Sequence, residues 1–168
     1  MMRNIELKAR LAGLDAAREI AESLATERLG VQHQVDTYFN CRNGRLKLRQ
    51  IDNLRSELVW YARADEEGPK ASDYAVVPIS NPETLKMALT AALGVRGVVD
   101  KRREIYLVDN VRVHLDEVAG LGTFLEFEAV LGPGVEDAAG HARLAGLQQQ
   151  FGIAPADLLP GSYSDMIS

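Results

Sequence analysis

The side chains in this sequence able to do ionic chemistry fall into groups spaced two residues apart: Glu6 and Lys8; Lys47 and Arg49; Tyr61 and Arg63; Lys101 and Arg103; Arg112, His114 and Asp116; Glu126 and Glu128. In an extended chain, residues two apart share one face. Seven of these side chains are bases: Lys8, Lys47, Arg49, Arg63, Lys101, Arg103 and Arg112. Crowded on one surface they repel one another unless a polyanion sits among them, and a triphosphate is such a polyanion. Glu6, Asp116, Glu126 and Glu128 supply hard oxygen ligands of the kind Mg²⁺ or Mn²⁺ accepts. A metal bridging phosphate oxygens would relieve the repulsion between these carboxylates and the phosphates.

Such groups need strands to carry them. Arg3 to Leu11 alternates polar and apolar residues, as a two-faced strand does. From Asp15 the period changes to that of a helix through Ala17, Ile20, Ala21 and Leu24, with Gly30 the expected stop. Strand-like runs follow at Gln32 to Cys41, Arg45 to Asn53 and Glu57 to Arg63, and Asn43-Gly44 marks the turn of an antiparallel hairpin. Asp65 to Ser72, with Gly68-Pro69, reads as a loop, and Tyr74 to Ile79 as a short strand. Asn81-Pro82-Glu83 is a helix start and Gly94 its stop. Strands return at Val98 to Val108, Val111 to Val118 and Thr123 to Leu131, before a third helix carrying Leu144, Leu147 and Phe151. The tail from Pro155 reads as irregular. About eight strands and three flanking helices, dominated by hairpins, predict an α+β protein on a closed antiparallel β-barrel, with 1–168 as one domain.

Two arrangements satisfy this pattern. Either the apolar faces fill the barrel and the charged faces meet solvent, or the apolar faces lie outside under the helices and the charged faces line a wet lumen. The types of charge favour the second, because the central strands contribute bases while the first and last contribute carboxylates. The formal charge of −5 argues against a duplex nucleic-acid binder, and no apolar run is long enough for a membrane helix. No signal-peptide core is present at the N-terminus, so a cytoplasmic setting is expected. The lone Cys41 excludes an internal disulfide and reads as a half-buried strand thiol.

Taken in order, several pieces resemble the CYTH family, or triphosphate tunnel metalloenzymes, closest to its class IV adenylate cyclase branch. They are Asn4-x-Glu6-x-Lys8, Asp36-x-Tyr38-Phe39, Leu46-Lys47-Leu48-Arg49, Tyr61-x-Arg63, Lys101-x-Arg103-x-x-Tyr106, Arg112-x-His114-Leu115-Asp116, Gly122-x-Phe124-x-Glu126-x-Glu128 and Ser162-Tyr163-Ser164-Asp165. The resemblance spans nearly the whole chain, and its specificity lies in the order and strand parity of these pieces.

It implies an eight-stranded tunnel in which Lys47, Arg49, Arg63, Lys101, Arg103 and Arg112 bind triphosphate oxygens. Glu6, Asp116, Glu126 and Glu128 would hold Mg²⁺ or Mn²⁺, and Lys8, Arg63 and Asp116 would take part in catalysis. The activity implied is conversion of ATP to cyclic AMP and pyrophosphate. Hydrolysis of thiamine or inorganic triphosphate is the alternative, and a catalytically weak nucleotide- or polyphosphate-binding module a further one. A homodimer is among the assemblies expected. Where the family signature has Glu-x-Glu-x-Lys, this chain has Asn4, which keeps a carbonyl oxygen but lacks the charge. His114 is read as a hydrogen-bonding residue of the charged face, Asp36 as a residue that orients a base, Trp60 as packing, and Tyr163 with Asp165 as closing the tunnel or tying down the tail.

Overall fold

The alternation in the strands resolves into a barrel whose two faces differ in character. In the computed structural model, which describes residues 1–167, eight strands close into an antiparallel barrel. They are β1 (Met2–Leu11), β2 (Glu27–Phe39), β3 (Arg45–Ile51), β4 (Arg55–Arg63), β5 (Lys70–Ile79), β6 (Val95–Val108), β7 (Val111–Val118) and β8 (Gly122–Val130). Around the barrel the order is β1-β5-β4-β3-β2-β6-β7-β8, so every strand edge is paired. The helices are α1 (Asp15–Leu24), α2 (Pro82–Leu93), α3 (Asp137–Gln150) and the four-residue α4 (Tyr163–Met166). Among the described residues no helix is long and apolar enough to cross a membrane.

The main core lies outside the barrel. Ile5 and Leu7 of β1, Val113 and Leu115 of β7, and Leu125 and Phe127 of β8 pack under Ala17 and Ala21 of α1 and Leu144 and Leu147 of α3. Each fully buried Leu or Phe there contributes about 1.5–3 kcal/mol. Gly140 lets α3 lie directly on β1, since a Cβ at that position would meet Ile5 Cγ1 at 2.5 Å. With its apolar faces covered in this way, this half of the barrel turns its charged faces inward. α2 starts as expected, Thr84 N–H donating to the Asn81 side chain ahead of Pro82.

The structure corrects several boundaries. α1 ends at Leu24 because Ala25 turns extended, and Gly30 is no helix stop. It lies within β2 at φ +82°, beside a register shift between Arg28 and Gly30, so the strand starts at Glu27 instead of Gln32. The segment expected as a loop to Ser72 joins β5 from Lys70, because Ser72 pairs with both Asn4 and Arg63. β6 likewise starts at Val95. The tail is ordered, with a 3-10 turn at Pro155–Asp157 and α4 after it.

Candidate functional site

The lumen is a cavity of about 460 Å³, a size suited to a small charged ligand. Lys8, Lys47, Arg49, Arg63, Lys101, Arg103 and Arg112 all line it, with Asn4, Glu6, His114, Glu126 and Glu128. Cross-strand register sorts them into two walls. On β2, β3 and β6, Asp36 is opposite Arg49 and Gln34 is opposite Lys101. On β1, β8 and β7, Glu6, Glu128 and Arg112 form one row, and Lys8, Glu126 and His114 the next. Residues directly opposite on antiparallel strands have Cβ atoms about 4.5–5.5 Å apart, close enough for ionic contact.

The basic wall is organised by one carboxylate. Asp36, with no exposed surface, accepts two hydrogen bonds from Arg49 at 2.8 Å each and one from Lys101 at 3.0 Å, with Lys47 at 3.3 Å. Burial pushes its carboxyl up, but Arg49, Lys101 and Lys47 outweigh that and hold it well below the ordinary carboxylate range. Asp36 thus orients bases, and its own oxygens are occupied. Burial among other cations lowers Lys101 well below the usual range of an amine.

Asp116 plays the same part for Arg103. Both its oxygens accept from Arg103 at 2.7 Å, and Tyr163 Oη donates to Oδ2 at 2.6 Å. Against the effect of burial, Arg103 brings the carboxyl down to about 2. The structure therefore separates Asp116 from the carboxylates with which the sequence reading grouped it as a metal ligand. The group that does converge is His114, Glu126 and Glu128, one ligand atom of each lying within 4.8 Å of the others.

That cluster has the donor atoms a cation would need. His114 is buried, and burial and Arg103 lower its pKa, which favours the neutral ring with its lone pair. Its Nδ1 lies 3.0 Å from Glu126, whose carboxyl burial pushes up but Lys8, His114 and Arg103 hold well below the ordinary range. Glu6, ion-paired with Arg63, is nevertheless raised by burial and by Glu126 and Glu128 nearby. Arg112 holds Glu128 at 2.8 Å. On the same wall the Asn4 Oδ1 atom is buried without a hydrogen-bond partner. The converging ligand atoms of His114, Glu126 and Glu128 fit a divalent ion, and the orphaned Asn4 oxygen lies one register step beyond Glu6 on the same wall. Replacing Asn4 by Glu is expected to tighten Mn²⁺ binding by about tenfold, measured by calorimetry, since a charged ligand replaces a neutral one.

One end of the barrel is closed. Ser162 and Tyr163 enter it from the tail: Arg63 Nη2 donates to Ser162 Oγ at 2.9 Å, and Tyr61 Oη lies 2.6 Å from the same atom. The Tyr163 ring packs on Phe124 at 4.9 Å, with Lys8 Nζ 3.8 Å over its face. Asp165 caps α4 through Ser162 N and receives Arg45 and Arg96, which anchors this plug. The other end is open past the half-exposed Leu29 and Met2.

Sequence reasoning missed three contributors. Lys70 is buried and donates to the carbonyls of Glu66 and Pro160, and its strand parity was concealed by the adjoining Gly68-Pro69. Tyr38, 3.4 Å from Lys47 Nζ, was present in Asp36-x-Tyr38-Phe39 without a role. Gln34, at the same parity as Asp36, carried no charge to draw attention.

A closed barrel with an inward wall of bases, an opposing wall of carboxylates and a sealed end defines an anion-binding tunnel with a place for a cation. The chain belongs to the CYTH domain family, whose model matches residues 2–163. No curated protein matches it in sequence. Among solved structures it is similar to the PH1012 protein of Pyrococcus horikoshii OT3, at 25% identity and TM-score 0.86, covering 98% of this chain and 99% of that one. A candidate adenylate cyclase from Vibrio parahaemolyticus aligns at 24% identity and TM-score 0.77, over 97% and 96% of the two chains. HpAC1 from Hippeastrum, described as having a dominant triphosphatase activity, aligns at 17% identity and TM-score 0.66, over 96% and 91%. These last two likenesses are of fold.

Proposed function

We propose that the chain is a metal-dependent enzyme acting on a triphosphate, and that it converts ATP to cyclic AMP and pyrophosphate. The observation that carries this reading is the polarity of the tunnel. Lys8 and Lys101 lie over the Tyr163 ring and Lys47 over the Tyr61 ring that bonds Ser162 of the plug, whereas Glu128 and Arg112 lie one register step beyond Glu126 and His114, toward the open mouth. A triphosphate entering from the mouth runs its terminal phosphate toward the plug. Its α-phosphate and the attached group then remain beside His114, Glu126 and Glu128.

That order suits a cyclase, in which the 3′-hydroxyl attacks the α-phosphorus and the β- and γ-phosphates leave together. Lys47, Arg49, Lys101 and Arg103 would hold the leaving pyrophosphate, with Arg63 and Arg112 toward the carboxylate wall. Lys8 would hold Glu126 in place, and Asp116 would act as a positioning residue through Arg103. His114, Glu126 and Glu128, flanked by Glu6 and Asn4, would hold Mg²⁺ or Mn²⁺. A divalent ion bound there would neutralise charge on the phosphate oxygens during attack. Hydrolysis of the terminal phosphate needs a water in line behind the last phosphorus, the region that Tyr163 and Ser162 fill. The proposed setting is cytoplasmic.

Lysines and arginines outnumber the carboxylates around the lumen before any cation binds. This excess suits a polyanion far better than a neutral substrate. The expected products from ATP with Mg²⁺ or Mn²⁺ are cyclic AMP and pyrophosphate, identified by phosphorus NMR. ADP with orthophosphate as the only products would overturn the cyclase assignment, and full turnover in excess chelator would overturn the metal.

A further inference from the structure

The wall formed by β3, β2 and β6 changes character along its length. Next to Arg49, Lys101 and Arg103 it carries two amides, Gln32 and Gln34, and then three apolar side chains, Ile51, Ile105 and Leu29, toward the open mouth. Ile51 and Ile105 are buried, and Leu29 is half-exposed at the rim. An apolar patch beside the phosphate-binding bases is a poor surface for a bare inorganic triphosphate and a good one for a flat organic group attached to it.

Gln34 stands on the border between the two regions and is only 3% exposed. Its Nε2 donates to Gln32 Oε1 at 2.8 Å, which favours this orientation of the amide. Its own Oε1 is buried in the lumen wall with no partner. A buried carbonyl oxygen without a donor is costly, and a ligand in the lumen can supply one. Gln34 thus presents a free acceptor beside one unused N–H. This is the complement of an exocyclic amino group next to a ring nitrogen, the edge that a glutamine amide reads bidentately on adenine.

We propose that Gln34, held in orientation by Gln32, selects triphosphates whose head group is an amino-substituted heteroaromatic ring, with Leu29, Ile51 and Ile105 contacting its flat faces. This rests on the triphosphate reading above. It excludes inorganic triphosphate as the preferred ligand, and it disfavours a ring carrying a keto oxygen where the amine would be, because two acceptors would then face each other.

The test is calorimetric binding of ATP, ITP and inorganic triphosphate to the intact protein, in chelator so that no turnover occurs. ITP differs from ATP at the amino position and its neighbouring ring nitrogen. ATP is expected to bind about tenfold more tightly than ITP or inorganic triphosphate. Gln34→Leu, close in volume, should bring the ATP-to-ITP ratio near one and leave inorganic triphosphate binding unchanged. Gln32→Leu, which frees the amide to turn, should also reduce the ratio while the ATP affinity falls less. Equal binding of ATP and ITP by the unaltered protein, or an unchanged ratio in Gln34→Leu, would overturn the proposal and leave the tunnel reading intact. Binding of none of the three would overturn the tunnel reading itself.

Discussion

Glu126→Gln is expected to reduce metal-dependent turnover by roughly two to three orders of magnitude while the barrel stays folded. Glu126 is the meeting point of the carboxylate wall, with His114 Nδ1 at 3.0 Å, Lys8 Nζ at 3.5 Å and Arg103 Nη2 at 3.5 Å. Glutamine keeps its volume and one carbonyl oxygen, so packing on β8 changes little. The missing charge takes away the strongest attraction for a cation among His114, Glu126 and Glu128. It also leaves Lys8 without its nearest carboxylate, in a site where burial already lowers the Lys8 pKa. Arg103 retains Asp116 and keeps its place. Turnover measured against Mn²⁺ concentration, with circular dichroism to establish folding, checks the expectation. Unchanged turnover at equal metal concentration would show that Glu126 holds no cation.

The second large effect is on stability. Asp36→Ala is expected to cost about 3–5 kcal/mol in chemical unfolding, because it leaves Arg49, Lys101 and Lys47 facing one another in a buried site without their shared counter-charge. Asp36→Asn should cost less than Asp36→Ala, since it keeps an acceptor and fills the space. The sign with pH follows from the depressed carboxyl. A group whose pKa is lower folded than unfolded stabilises the protein fully above its ordinary value, 3.8, and loses that contribution as pH falls through the folded value. The difference between the unaltered protein and Asp36→Asn should therefore be constant near neutrality and shrink in acid below pH 3.8. Inorganic triphosphate should raise the melting temperature of Asp36→Ala more than that of the unaltered protein, because a polyanion replaces the lost charge. An Asp36→Ala protein as stable as its parent would rule out a buried counter-ion at this position.

Much of the site was legible in one dimension. Strand parity is a local property with a period of two, so Lys47 and Arg49, Lys101 and Arg103, and Glu126 and Glu128 could be placed on common faces from spacing alone. The same holds for the start of α2, where Asn81 and Pro82 act within one turn. Boundaries were less legible where a strand begins without a periodic signal. Lys70 lies directly after Gly68-Pro69, and its place in β5 depends on pairing with Glu6 of β1. Gly30 sits in β2 only because β6 offers a partner across the bulge.

By itself the sequence determined which residues share a face, that bases dominate the central strands and carboxylates the outer ones, and that position 4 carries an amide in place of an acid. Tertiary structure decided which face points inward. The deciding contacts are non-local: α1 and α3 bury Ile5, Leu7, Leu115 and Phe127 outside the barrel, and the charged side chains take the lumen because the apolar ones have left it. It also decided which acid serves which base. Asp116 could have joined the metal ligands on parity alone, yet the register of β6 on β7 sets it opposite Arg103, and the tail brings Tyr163 Oη to its remaining lone pairs. Asp36 reaches Lys101 only because strands 65 residues apart in sequence are adjacent in the closed sheet. A period-two pattern carries no information about such partners, since pairing, stagger and closure arise only when distant segments meet.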